Sequence, residues 1–87
     1  KDLDPQSVLT RAASSPNDVN IQKQAADVEI ANGRNKDAFD RLIKAVKTLE
    51  GDDQKSAREH LLVLFGLVDP ADPDLIKARQ SLASALF

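Results

Sequence analysis

His60 is the one imidazole of an 87-residue chain that has no cysteine, and it sits beside Arg58 and Glu59. A histidine acting as a general base needs a serine or cysteine nucleophile in a recognisable arrangement. No such motif accompanies His60, and its place at the edge of an apolar stripe marks it as a packing residue. Two acidic pairs, Asp52-Asp53 and Asp72 with Asp74, raise the question of carboxylate chemistry. Paired carboxylates serve as acid and base in glycoside cleavage or as ligands in calcium loops. Here the calcium-loop spacing is absent, and both pairs fall where a helix begins, where a carboxylate accepts bonds from free N–H groups. No glycine-rich phosphate loop occurs. The lack of thiols excludes disulfide, redox and cysteine-zinc chemistry, and a single imidazole supplies one metal ligand at most. The sequence therefore assigns no catalytic residue, no metal site and no cofactor.

Composition narrows the partners. Twelve Lys+Arg against 14 Asp+Glu give a net charge of −2, without the basic excess of a nucleic-acid binder. No apolar run approaches the roughly 20 residues of a bilayer-spanning helix. The Lys1-Asp2-Leu3-Asp4 start resembles neither a signal peptide nor an initiator-methionine terminus, so the chain is expected to be an excised part of a soluble, cytoplasmic protein.

Glycine and proline mark the joints between helical segments. Asp4 before Pro5 opens a short helix over 5–14 with Val8, Leu9, Ala12 and Ala13 on one side. A second helix, capped by Asn17 or Asp18, carries Ile21, Ala25 and Val28, with Ala26 and Ile30 widening the stripe. Gln22, Lys23, Asp27 and Glu29 are left for water or a partner, and Asn32-Gly33 stops the helix. The third helix, 35–50, has two apolar stripes, Ala38/Leu42/Ala45/Leu49 and Phe39/Ile43/Val46, and so must be covered on two sides. Gly51 is expected to end it, and Asp52 and Asp53 to cap a fourth helix over 53–68 that buries Ala57, Leu61, Leu64, Phe65 and Val68, with Leu62 and Leu67 extending the face. Asp72-Pro73-Asp74 starts the last helix, whose inner face is Leu75, Ala78, Leu82, Ala85 and Leu86.

A shift of forty positions aligns Ala26 with Gly66, Gly33 with Pro73, Ala38 with Ala78, Leu42 with Leu82 and Ala45 with Ala85. Small residues where two helices cross and a turn residue between them make a helix-turn-helix repeat of tetratricopeptide logic. The aromatic positions of that pattern are held by Gln22, Glu29, Leu62 and Asp69. The excess over the usual period of about 34 is assigned to the 49–53 region and a longer second turn. The expected architecture is all-α: a tetratricopeptide-like right-handed stack of antiparallel helix pairs, about five helices in one domain over 1–87. It comprises a leading helix 5–14, a first pair 18–50 and a second pair 53–86.

Three stretches carry a narrower resemblance: Ser15-Pro16-Asn17-Asp18-Val19 with Ala25-Ala26-Asp27-Val28-Glu29; Asn32-Gly33-Arg34 with Ala38-Phe39-Asp40-Arg41-Leu42; and Ala57 to Phe65 with Leu82-Ala83-Ser84-Ala85-Leu86-Phe87. They are similar to the C-terminal region of bacterial thioredoxin-like proteins with a tetratricopeptide domain, the chaperedoxin or YbbN type. The resemblance implies a thioredoxin-fold half before Lys1 that holds any Cys-x-x-Cys. It also implies a tetratricopeptide half that holds unfolded clients and docks on the GroEL-type chaperonin through the helix with Leu82, Ala83, Ala85, Leu86 and Phe87.

The expected partner-binding residues are thus Asn20, Lys23, Asp27 and Ile30 in the groove of the first pair, with Leu82, Ala83, Leu86 and Phe87 at the C-terminus. Carboxylate clamps of related domains need a lysine followed four residues later by an asparagine. Lys23 is followed by Asp27, and an internal ion pair there would repel a carboxylate. The function this supports is a non-catalytic interaction module of a co-chaperone. The alternative is a structural domain that oligomerises the parent or packs on its thioredoxin half, since the leading helix looks like half of an earlier pair.

Overall fold

A computed structural model describes residues 4–86 and contains five helices: α1 Pro5–Ser14, α2 Val19–Ala31, α3 Asn35–Thr48, α4 Gly51–Phe65 and α5 Pro73–Ala85. No strand occurs among the described residues. The fold is all-α, as the periodicity predicts.

Local chemistry sets most of the boundaries. The Asp18 carboxylate accepts from the N–H groups of Asn20 and Ile21 and starts α2, and Asp72 caps α5 through Asp74 N–H at 2.8 Å, with Pro73 at the first helical position. At the end of α2, Gly33 takes φ +75°. Arg34 N–H reaches the Glu29 carbonyl at 2.8 Å and Gly33 N–H the Ile30 carbonyl at 3.0 Å, so the last carbonyls are satisfied in a Schellman arrangement.

The fourth helix departs from expectation at both ends. It begins at Gly51, not Asp53, because Gly51 adopts φ +60° and lets the chain turn within residues 49–50. Gly51 therefore opens α4 and does not close α3. Asp52 and Asp53 lie in the first turn, where they favour the positive end of the helix dipole, and Glu50 holds the cap position without a side-chain bond. At the other end α4 stops at Phe65, short of Val68, as Gly66 and Leu67 N–H tighten onto the Val63 and Leu64 carbonyls. Leu62 and Leu67, expected to extend the buried face, are 51% and 67% exposed. Leu62 stands a hundred degrees round the helix from Leu61, outside the stripe that meets the core, and Leu67 lies beyond the helix end.

The core forms around α3, whose two stripes are covered by α2, α4 and α5. Phe39 meets Phe65 edge to face, with centroids 5.2 Å apart and planes at 77°. Gln54 Nε2 of α4 donates to the Val46 carbonyl of α3 at 2.9 Å. A second, smaller cluster holds α1 on α2 through Val8, Ala12, Ile21 and Ala25.

The offset of forty survives in part. Ala38 and Ala78, and Leu42 and Leu82, are buried as aligned pairs on α3 and α5. Ala26, however, is fully buried within α2, whereas Gly66 only closes α4. Where α2 and α4 touch, partners are 33 residues apart. The extra length lies in the joint 66–72, which is longer than the joint 32–34, and not around residues 49–53. That joint lets α5 settle chiefly on α3; it reaches α4 where the Arg79 guanidinium stands 5.9 Å above the Phe65 ring.

Candidate functional site

α2 and α4 lie side by side, joined by two polar rungs. Lys23 Nζ donates to Ser56 Oγ at 3.0 Å, and one turn on, His60 Nε2 lies 2.7 Å from Asp27 Oδ1. A carboxylate only accepts, so the imidazole donates through Nε2. The expected Lys23–Asp27 ion pair does not form, because α4 offers each side chain its own partner at the same four-residue spacing. Of the groove residues named from sequence, Asn20 and Asp27 are exposed, Lys23 is half-buried, and Ile30 is half-buried against the core. His60 is half-covered, as its edge position predicts, and in addition it ties two helices together.

At the C-terminus the expected docking residues separate. Leu82 is only 7% exposed and belongs to the core with Leu75 and Ala78. Ala83 faces solvent, and Leu86, expected on the inner face, is 45% exposed. Phe87 lies outside the described residues. The helix is thus anchored on one side through Leu82, with Ala83 exposed on another and Leu86 exposed at its C-cap.

Sequence reasoning missed a polar cluster between α1, α2 and α3. Gln22 and Glu29, expected to face water, are 5% and 4% exposed. Arg41 of α3 donates from Nε and Nη2 to the two Glu29 oxygens at 2.9 and 3.0 Å, and from Nη1 to Gln22 Oε1 at 2.8 Å. Gln22 Nε2 in turn donates to the carbonyls of Ala12 at 2.9 Å and Ser15 at 3.1 Å, pinning the end of α1. Every buried side-chain polar atom among the described residues has a partner. An open groove of about 520 Å³ lies above this cluster, between Ala12 and Ala13 of α1 and Lys44 and Thr48 of α3. A signal was present in that Gln22 and Glu29 occupy positions that the repeat pattern fills with aromatics, although Leu62 and Asp69, at the same positions of the second pair, are exposed.

With these features in place, comparison with known proteins is decisive for the family. A family model described as Tetratricopeptide repeat matches residues 1–87. The chain belongs to the tetratricopeptide repeat family. Tetratricopeptide repeats generally mediate protein–protein interaction and are typically non-catalytic, using the surface that stacked repeats create. In this tetratricopeptide domain the Gln22–Arg41–Glu29 cluster replaces aromatic packing around helix α2.

The chain is 40% identical over 76 residues to an uncharacterised protein of Mycobacterium bovis and to uncharacterised proteins from two strains of Mycobacterium tuberculosis. The match covers 87% of this chain but 25% of each relative, so the domain spans about a quarter of their length. No solved structure matches at comparable stringency. No described helix is long and apolar enough to cross a membrane.

Proposed function

We propose that this tetratricopeptide domain is the partner-binding part of a cytoplasmic thioredoxin-like co-chaperone, contacting the GroEL-type chaperonin through α5 and client polypeptides along the α2–α4 face. The observation that carries the reading is the division of α5: Leu82 is buried in the core while Ala83 and Leu86 stand exposed. A helix held on one side and apolar on another can dock without unfolding the domain. On the α2–α4 face, Asn20 and Asp27 provide polar contacts beside the half-buried Ile30.

The test is co-purification of the full chain with the chaperonin, set against a chain lacking 84–87 and against Leu86→Asp. Both changes are expected to abolish capture while leaving helical circular dichroism in place. Capture that persists in both overturns the docking role of α5.

The second reading, packing against a thioredoxin-fold half or a second copy, is favoured by Leu62, Val63 and Leu67, all exposed near the α4–α5 joint. Sedimentation at several concentrations, alone and with the separate thioredoxin half, distinguishes it. A species that stays monomeric and ignores that half removes it.

A further inference from the structure

The N-terminal ends of α3 and α5 are tied where Asn35 Nδ2 donates to Asp72 Oδ2 at 3.3 Å, and the two helices run on side by side with a furrow between them. Two hollows lie along it. The first, about 220 Å³, is lined by Lys36, Asp40, Asp74, Lys77, Ala78 and Ser81. The second, about 290 Å³, is lined by Lys47, Lys77, Gln80, Ser81 and Ser84. Lys77 and Ser81 line both, so the hollows adjoin.

Charge is distributed unevenly along this furrow. At its N-terminal end Lys36 is committed to Asp40 at 2.8 Å, and that hydrogen-bonded carboxylate holds the ammonium above its ordinary pKa. At the C-terminal end two ammonium groups and three neutral hydrogen-bonding side chains line the hollow without a carboxylate. Lys47 and Lys77 make no ion pair among the described residues. Lys47 lies in the last turn of α3, where the helix dipole favours a cation, and Lys77 lines both hollows, sharing the first with Asp40 and Asp74. The C-terminal hollow thus offers two ammonium groups and no carboxylate, whereas the N-terminal hollow carries Asp40 and Asp74.

We propose that the C-terminal part of this α3–α5 furrow receives an acidic, extended segment of a partner protein, with carboxylates on Lys47 and Lys77 and the remaining polar groups met by Gln80, Ser81 and Ser84. The site is separate from the α2–α4 face, and although Ser84 lies within the 84–87 segment, Leu86→Asp leaves every residue lining the hollow in place and so tests the chaperonin reading apart from this one. Contacts between exposed charges weaken as salt rises, because the Debye length falls from about 10 Å at 0.1 M to about 3 Å at 1 M.

The experiment is fluorescence anisotropy with a labelled peptide of six glutamates flanked by Gly-Ser, titrated with the full chain. The double variant Lys47→Glu/Lys77→Glu is compared with the charge-matched control Arg11→Glu/Lys55→Glu. All four positions are exposed, and each variant loses one last-turn cation, Lys47 of α3 or Arg11 of α1, so both are expected to melt cooperatively and slightly lower by a similar amount. The furrow variant is expected to bind at least about tenfold more weakly, since like charges would face the peptide, while the control stays within about twofold. Ser81→Ala/Ser84→Ala is expected to bind about two- to threefold more weakly, as neutral hydrogen bonds contribute modestly. Equal losses in the furrow variant and the control overturn the proposal, as does equally tight binding of a single-stranded oligonucleotide of the same charge.

Discussion

Arg41 holds Glu29 by two parallel bonds, Nε to Oε1 at 2.9 Å and Nη2 to Oε2 at 3.0 Å, and so joins α3 to α2 through a carboxylate that is 4% exposed. The third bond, from Nη1 to Gln22 Oε1 at 2.8 Å, extends the link to the residue that pins α1. One side chain thereby connects the small α1–α2 cluster to the main core.

Arg41→Ala would strand the Glu29 carboxylate. Breaking a fully buried pair costs about 3–5 kcal/mol; Arg41 keeps about a fifth of its surface, so about 2–3 kcal/mol is expected here. Arg41→Lys is expected to recover little of this, because a single ammonium cannot reproduce the fork. Urea denaturation of the three proteins measures both.

Gln22→Ala removes both bonds from α2 to the end of α1 and the third bond of Arg41, while leaving the two-bond Arg41–Glu29 pair. The expected effect is local: faster amide exchange over 8–14 with little change over 38–46 in α3. Uniform acceleration across the chain would show instead that α1 is part of the global unit.

Gly33→Ala places a Cβ at φ +75°, where nothing lies within 4 Å. The cost is therefore backbone strain alone, about 1–2 kcal/mol, with Gly33→Asn costing less because asparagine tolerates the left-handed region. Thermal melts that rank Gly above Asn above Ala bear this out.

Leu82→Asp and Leu86→Asp differ by four residues and should differ in kind. An unpaired carboxylate at position 82 enters the core and costs several kcal/mol, a large share of the stability of a small domain. Position 86, at 45% exposure, tolerates it. Circular dichroism should show loss of cooperative melting for the first only.

The His60–Asp27 rung joins a half-covered imidazole to a carboxylate whose side chain is 55% exposed. A double-mutant cycle with His60→Ala and Asp27→Ala is expected to give a coupling below about 1 kcal/mol, as exposed pairs do. A larger value would make this rung a main determinant of how α2 and α4 sit.

Helix existence and type were legible in the chain because they follow from local rules: Asp72-Pro73 starts α5, Asn32-Gly33 ends α2, and the two stripes of α3 demand cover from two sides. Side-chain periodicity likewise identified Ala57, Leu61, Leu64 and Phe65 as core. Other features depend on neighbours distant in sequence. Lys23 and Asp27 look like an ion pair until α4 supplies Ser56 and His60; Gln22 and Glu29 look solvated until Arg41 folds over them; Leu82 and Leu86 look alike until α3 covers one of them. Local propensity and apolar spacing are carried by each helix alone, whereas the environment of a polar or boundary side chain is decided by which helix comes to rest beside it.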